Sequence, residues 1–85
     1  MQHASDLIEH QPDRCRFVAE VDGQECVCDY TLQGKRVNFT HTFVPASLRG
    51  RGLAEQLVAS ALSWARAENC EIEASCWYVR RFLDD

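Results

Sequence analysis

Between Val44 and Ala54 the chain runs Val44-Pro45-Ala46-Ser47-Leu48-Arg49-Gly50-Arg51-Gly52-Leu53-Ala54, and no other stretch restricts the fold so strongly. Residues before it alternate in polarity, whereas apolar residues after it recur at helical spacing. A strand therefore ends at Pro45, and a short loop hands the chain to an amphipathic helix. The first turn of a helix leaves its N–H groups unpaired and carries partial positive charge, so consecutive amides there can converge on one oxyanion. Gly50 and Gly52 allow unusual torsions and keep Cβ atoms out of the way of a phosphate. Arg49 and Arg51 add formal positive charge. The loop reads as a holder of phosphate or pyrophosphate; its structural counterpart is a plain strand-to-helix turn with two solvated arginines.

The rest of the chain supplies a frame for this loop. Residues 1–13 are polar, contain Pro12 and read as a loose lead-in. Arg16 to Val21 alternates as a strand, Asp22-Gly23 signals a tight hairpin, and Gln24 to Thr31 places Cys26, Cys28 and Tyr30 on one strand face. After a turn at Gln33-Gly34, a third strand sets Val37, Phe39, His41 and Phe43 in alternation. Leu53, Leu57, Val58, Ala61, Leu62 and Ala65 form the apolar stripe of the helix, and Asn69 is a left-handed stop. Cys70 to Ser75 alternates as a fourth strand, and Val79, Phe82 and Leu83 close the chain with a short helix. The expected fold is α+β: three antiparallel strands, a crossover helix, a parallel fourth strand and a short C-terminal helix in one mixed sheet. The crossover is expected to be right-handed.

A chain of 85 residues is read as a single domain spanning 1–85, able to bury about two-thirds of its unfolded surface. A net charge of −4 argues against general nucleic-acid binding, which needs a basic face. No apolar run approaches the roughly 20 residues required to span a bilayer, and the N-terminus shows no secretory leader pattern. Five cysteines form an odd set, ill-suited to a disulfide framework, so the expected location is the cytoplasm. Cys26-x-Cys28 has too short a spacing for a zinc pair, and no metal site is expected.

Arg49-x-x-Gly52-x-Ala54 resembles the coenzyme-A signature Gln/Arg-x-x-Gly-x-Gly/Ala of the GNAT acyltransferase superfamily. His41-Thr42-Phe43-Val44-Pro45, Leu48 to Gly52 and Cys76-Trp77-Tyr78-Val79 are similar to the very small acetyltransferase-like members of that superfamily, over about Arg16 to Phe82. The resemblance implies acetyl-CoA as substrate, with its pyrophosphate on Arg49, Gly50, Arg51, Gly52, Leu53 and Ala54 and its pantetheine arm along Phe43-Val44. It implies acetyl transfer to an amine acceptor. The residues leave two other readings open: a non-catalytic acyl-CoA-binding module, or a small interaction domain whose arginine loop grips a phosphorylated or acidic partner.

Three residues are candidates for chemistry. Cys76 follows the fourth strand at a helix start, where a thiol's pKa falls; buried and inert is its other reading. The resemblance implies a catalytic or acyl-accepting role for it. His41 is either a packed strand histidine or a general base. Tyr78 either packs or protonates a leaving thiolate. Glu71 and Glu73 could replace His41 as base, but alternating glutamates also mark a solvated strand face.

Overall fold

The computed structural model describes residues 7–83. Five strands form one sheet in chain order: β1 (Ile8–Gln11), β2 (Arg16–Val21), β3 (Gln24–Gln33), β4 (Arg36–Phe43) and β5 (Glu71–Ala74). The first four are antiparallel, and β5 lies parallel to β4. Helix α1 (Leu53–Ala67) connects β4 to β5, and α2 (Trp77–Leu83) follows β5.

The helical stripe expected from the sequence is the buried face of α1: Leu57, Val58, Ala61, Leu62 and Ala65 pack on Cys26, Cys28, Tyr30, Val37 and Phe39. Burying each leucine, valine or phenylalanine of this set contributes roughly 1.5–3 kcal/mol. Val79 brings α2 into the same core. Asn69 ends α1 in the left-handed conformation, at φ 57°.

Two features depart from expectation. Ile8–Gln11, within the stretch read as a loose lead-in, is a strand paired with β2; residues 1–6 of that stretch lie outside the described residues. His10 anchors the strand to the core: its ring stacks on Phe17 at 4.1 Å, meets Trp64 edge-on at 4.7 Å and shares a 2.7 Å hydrogen bond with the Tyr30 hydroxyl. Burial holds the His10 pKa below its ordinary value, so the neutral ring is favoured.

The second departure lies in β4. Tyr30 pairs with Phe39 and Asp29 with His41, so Thr40 is an extra residue without a partner, a β-bulge. The bulge shifts the alternation. Val37 and Phe39 are buried, but His41 and Phe43 are exposed, while Thr42 turns inward opposite buried Cys28. The expected common face of Val37, Phe39, His41 and Phe43 is corrected accordingly.

Candidate active site

β4 outlasts its parallel partner. Pairing with β5 covers only Arg36 to Phe39. The Ser75 and Cys76 amides both donate to the Phe39 carbonyl at 3.0 Å, and the chain then leaves the sheet. Beyond that point Thr40 to Phe43 have no strand partner on this side among the described residues. A cleft of about 650 Å³ opens there, between the free half of β4 and the start of α2. His41, Thr42, Phe43, Cys76, Trp77 and Tyr78 are among its walls.

The departure point of the chain is held firmly. Asn38 grips Ser75 twice, its Nδ2 donating to Ser75 Oγ and its Oδ1 accepting from the Ser75 amide, each at 2.9 Å. The Arg80 guanidinium donates to the Ala74 carbonyl through Nε at 3.2 Å and through its terminal nitrogen at 3.0 Å. These bonds set where Cys76 emerges.

A smaller recess of about 210 Å³ adjoins the cleft, lined by Leu48, Arg49, Gly50, Gly52, Leu53 and Glu55 among others. Val44, Arg49, Ala54 and Tyr78 border both spaces. Gly52 takes φ 77° at the helix start and provides no capping side chain. The first helical bond runs from the Gln56 amide to the Gly52 carbonyl, which leaves the amides of Leu53, Ala54 and Glu55 outside the ladder. Gly50 is also left-handed, at φ 83°. The recess therefore joins a helix start, two left-handed glycines and one cation.

That cation is Arg49, whose Nε donates to the Val44 carbonyl at 3.0 Å. Arg51 is turned elsewhere. Its guanidinium pairs with Asp22 of the β2–β3 hairpin at 3.4 Å, and Gln24 of the same hairpin donates to Ser47 at 2.8 Å. The hairpin thus braces the loop from outside, an arrangement of contacts more than twenty residues apart that no local pattern announces.

Of the three candidates for chemistry, all border the cleft. Burial alone would push the Cys76 thiol up. The Val79 amide, the Thr42 hydroxyl, the Tyr78 amide and the Thr42 amide are directed at the sulfur and outweigh it, holding the pKa below a thiol's ordinary value. Burial first, and then the Glu55 carboxylate, push the Tyr78 phenol up against the opposing pull of Arg81. Tyr78 accordingly keeps its proton at neutral pH. His41 is an exposed residue beside the cleft, not a packed one, and its Nδ1 lies 3.5 Å from Asp29. Glu71 and Glu73 face Arg36 at 3.3 and 3.8 Å, at the other end of β5's pairing with β4. They stand in the solvated role, not that of a base.

Sequence reasoning missed Thr42 and Asp29. Both follow from the Thr40 bulge, which brings Thr42 to Cys76 and sets His41 beside Asp29. Trp77 is 68% exposed at the cleft, with the Arg81 guanidinium 5.9 Å from its ring centre.

Comparison with known proteins gives a consistent result. The profile of the GCN5-related N-acetyl-transferase family matches residues 16–85. Protein NATD1 of Bos taurus is 35% identical over 81 residues, covering 92% of this chain and 72% of that protein. Protein NATD1 of Homo sapiens is 33% identical over 92% of this chain and 72% of its own length. The NMR solution structure of a GCN5-like protein from Staphylococcus aureus superposes with a TM-score of 0.70 at 25% identity, covering 91% of this chain and 76% of that one.

Proposed function

The chain belongs to the GCN5-related N-acetyltransferase family, and from that premise we propose that it binds acetyl-CoA and transfers the acetyl group to an amine, acting as one domain across residues 1–85. The observation that carries this reading is the shared boundary of the two spaces: the recess at the helix start and the cleft that holds a thiol have Val44, Arg49, Ala54 and Tyr78 in common.

In this reading the amides of Leu53, Ala54 and Glu55 hold the pyrophosphate, with Arg49 beside them. The pantetheine arm runs along Phe43 and Val44, pairing with the free edge of β4 as a strand would. The thioester then lies at Thr42 and Cys76. The Cys76 thiolate attacks the acetyl carbonyl, and the Thr42 amide stabilises the developing oxyanion. As the tetrahedral intermediate collapses, the carbon–sulfur bond to the coenzyme breaks and Tyr78 gives its proton to the departing sulfur. The acceptor amine attacks acetyl-Cys76 in turn. His41, oriented by Asp29, takes the amine's proton, the Cys76 thiolate is released, and the proton on His41 returns through solvent to the Tyr78 phenolate. Positioning supplies most of the rate, because two reactants are held in one cleft. Nothing in this scheme demands a basic surface or a membrane anchor; no helix among the described residues is long and apolar enough to cross a bilayer. A reactive thiol fits a reducing compartment, and we assign the protein to the cytoplasm.

Incubation with acetyl-CoA and intact-mass measurement test the reading. The expected result is one added acetyl group, mapped to Cys76, that disappears when a reactive primary amine is supplied. Coenzyme binding with neither self-acetylation nor release of free thiol would reduce the protein to an acyl-CoA-binding module.

A further inference from the structure

Three adjacent strands contribute to one polar line beside the cleft. Cys28 of β3 stands opposite Thr42 of β4, and Cys76 follows β5 on the far side of Thr42. The Cys76 thiol lies 3.7 Å from Thr42 Oγ1, and the same oxygen lies 3.9 Å from Cys28 Sγ. Thr42 is inside at all only because Thr40 is inserted into the strand. With unbroken alternation residue 42 would share the outward face of Asn38, and a threonine hydroxyl could not reach either sulfur.

We propose that Thr42 is the positioning residue for Cys76, its hydroxyl serving the sulfur while Cys28 serves the hydroxyl. A hydroxyl carries one proton and can accept as well as donate, so the line has two settings. With Cys76 protonated, its thiol donates to Thr42 and the Thr42 hydroxyl donates to Cys28. When Cys76 releases its proton to solvent, the Thr42 hydroxyl turns to donate to the thiolate, and its oxygen then accepts from the Cys28 thiol. The second setting requires Cys28 to keep its proton. Burial, partly countered by Thr42, pushes that thiol up to about 11, so it stays protonated through the neutral range.

Other titratable groups nearby are engaged with partners of their own, the Arg16 guanidinium with Asp29 at 3.4 Å among them. His41 and Asp29 pair with each other, Tyr78 on α2 answers to Glu55 and Arg81, and Arg49 is bonded to the Val44 carbonyl. Asp29 acts on Cys28 in the same direction as burial. Thr42 touches no reacting atom through its hydroxyl; it acts through Cys76.

The inference rests on the reading of Cys76 as the thiol that accepts the acetyl group, but its test contains no coenzyme. Iodoacetamide labelling of the full chain is followed by peptide mass spectrometry from about pH 6 to about pH 10. Thr42→Val, which keeps the shape and removes the hydroxyl, should raise the midpoint of the Cys76 profile by about one pH unit, the effect of one lost hydrogen bond to a charged group. Thr42→Ser should return the midpoint to that of the parent. Cys28→Ala should raise it by less, and the Cys70 profile should stay fixed throughout. An unmoved midpoint in Thr42→Val, or a serine that fails to restore it, overturns the proposal. Should Thr42→Val melt below the assay temperature, Cys28→Ala decides, since an unchanged Cys76 midpoint there breaks the line. Failure of the acetyl-transfer reading looks different: the midpoints shift as stated, yet acetyl-CoA leaves no acetyl group on Cys76.

Discussion

His10 at one edge of this sheet and the backbone at the other treat their polar groups in opposite ways. At the β1–β2 end, His10 lies among Phe17, Tyr30 and Trp64, and it shares a hydrogen bond with the Tyr30 side chain. At the β4–β5 end, the free half of β4 and the first amides of α1 are left without strand or helix partners among the described residues. Satisfied groups stabilise the fold, whereas unpaired ones are available to a ligand. Substitutions at the open end should therefore alter binding and reactivity with little change in melting, and substitutions at the closed end should do the reverse.

The largest effect should come from Gly52→Val. A Cβ added at Gly52 meets nothing within 4 Å in the protein itself, but it would project from the loop that the pyrophosphate must approach. Loss of two charge-assisted bonds to amides costs about 3–6 kcal/mol of binding, so titration calorimetry should detect no coenzyme-A binding. Positive φ adds strain of about 1–3 kcal/mol, and the melting curve should show a folded, moderately weakened protein. Parental affinity in this variant would erase the distinction between the ends.

Arg49 and Arg51 sharpen the comparison within the loop itself. Arg49→Met should weaken coenzyme-A binding by about 1–2 kcal/mol, and this loss should shrink for pantetheine, which has no pyrophosphate. Arg51→Met should change affinity by less than about 0.5 kcal/mol, because Arg51 is already engaged by Asp22 in an exposed pair. Equal losses for the two variants would mean that Arg51 leaves Asp22 when the ligand arrives.

Alkylation offers a smaller, kinetic contrast. Cys76 should label about threefold or more faster than Cys15 or Cys70 at neutral pH, since a lowered pKa raises the thiolate fraction more than it blunts nucleophilicity. Acetyl-CoA should slow Cys76 and leave the other two unchanged. Labelling rates that do not differ would return Cys76 to a packing role.

The smallest effect belongs to the closed end. The folded-state pKa of His10 lies below its ordinary 6.5, so the unfolded chain binds the extra proton first. Stability is thus fully present above about pH 6.5 and declines as pH falls through the folded-state value. Thermal melts should show a small drop in Tm on acidification through this window, flattened in His10→Gln, with coenzyme affinity unaffected at neutral pH. A parent and variant with parallel pH profiles would show that the imidazole is not neutralised by its surroundings.

What could be read from the sequence follows from how local each feature is. The Arg49–Ala54 loop depends on neighbours in the chain, so proline, glycine and the apolar spacing of α1 announce it together. The buried face Cys26, Cys28 and Tyr30 was legible for the same reason, since period-two alternation is a local pattern. The Thr40 bulge has no such mark: it exists only relative to β3, and it reverses which of His41 and Thr42 faces inward. β1 was obscured because its inward residues are Ile8 and an aromatic polar group, His10, with Pro12 directly after the strand's last residue. The direction of Arg51 depended on Asp22, twenty-nine residues away. Contacts between distant segments carried every surprise.

The chain has two tryptophans, and the architecture puts one at each end. Trp64 is held edge-on to His10 and Phe17, while Trp77 stands 68% exposed beside the cleft. Their emission should accordingly separate: a bluer component, sensitive to imidazole protonation and to unfolding, and a redder component that responds to whatever enters the cleft. Folding and occupancy can then be followed in the same cuvette, with no label attached.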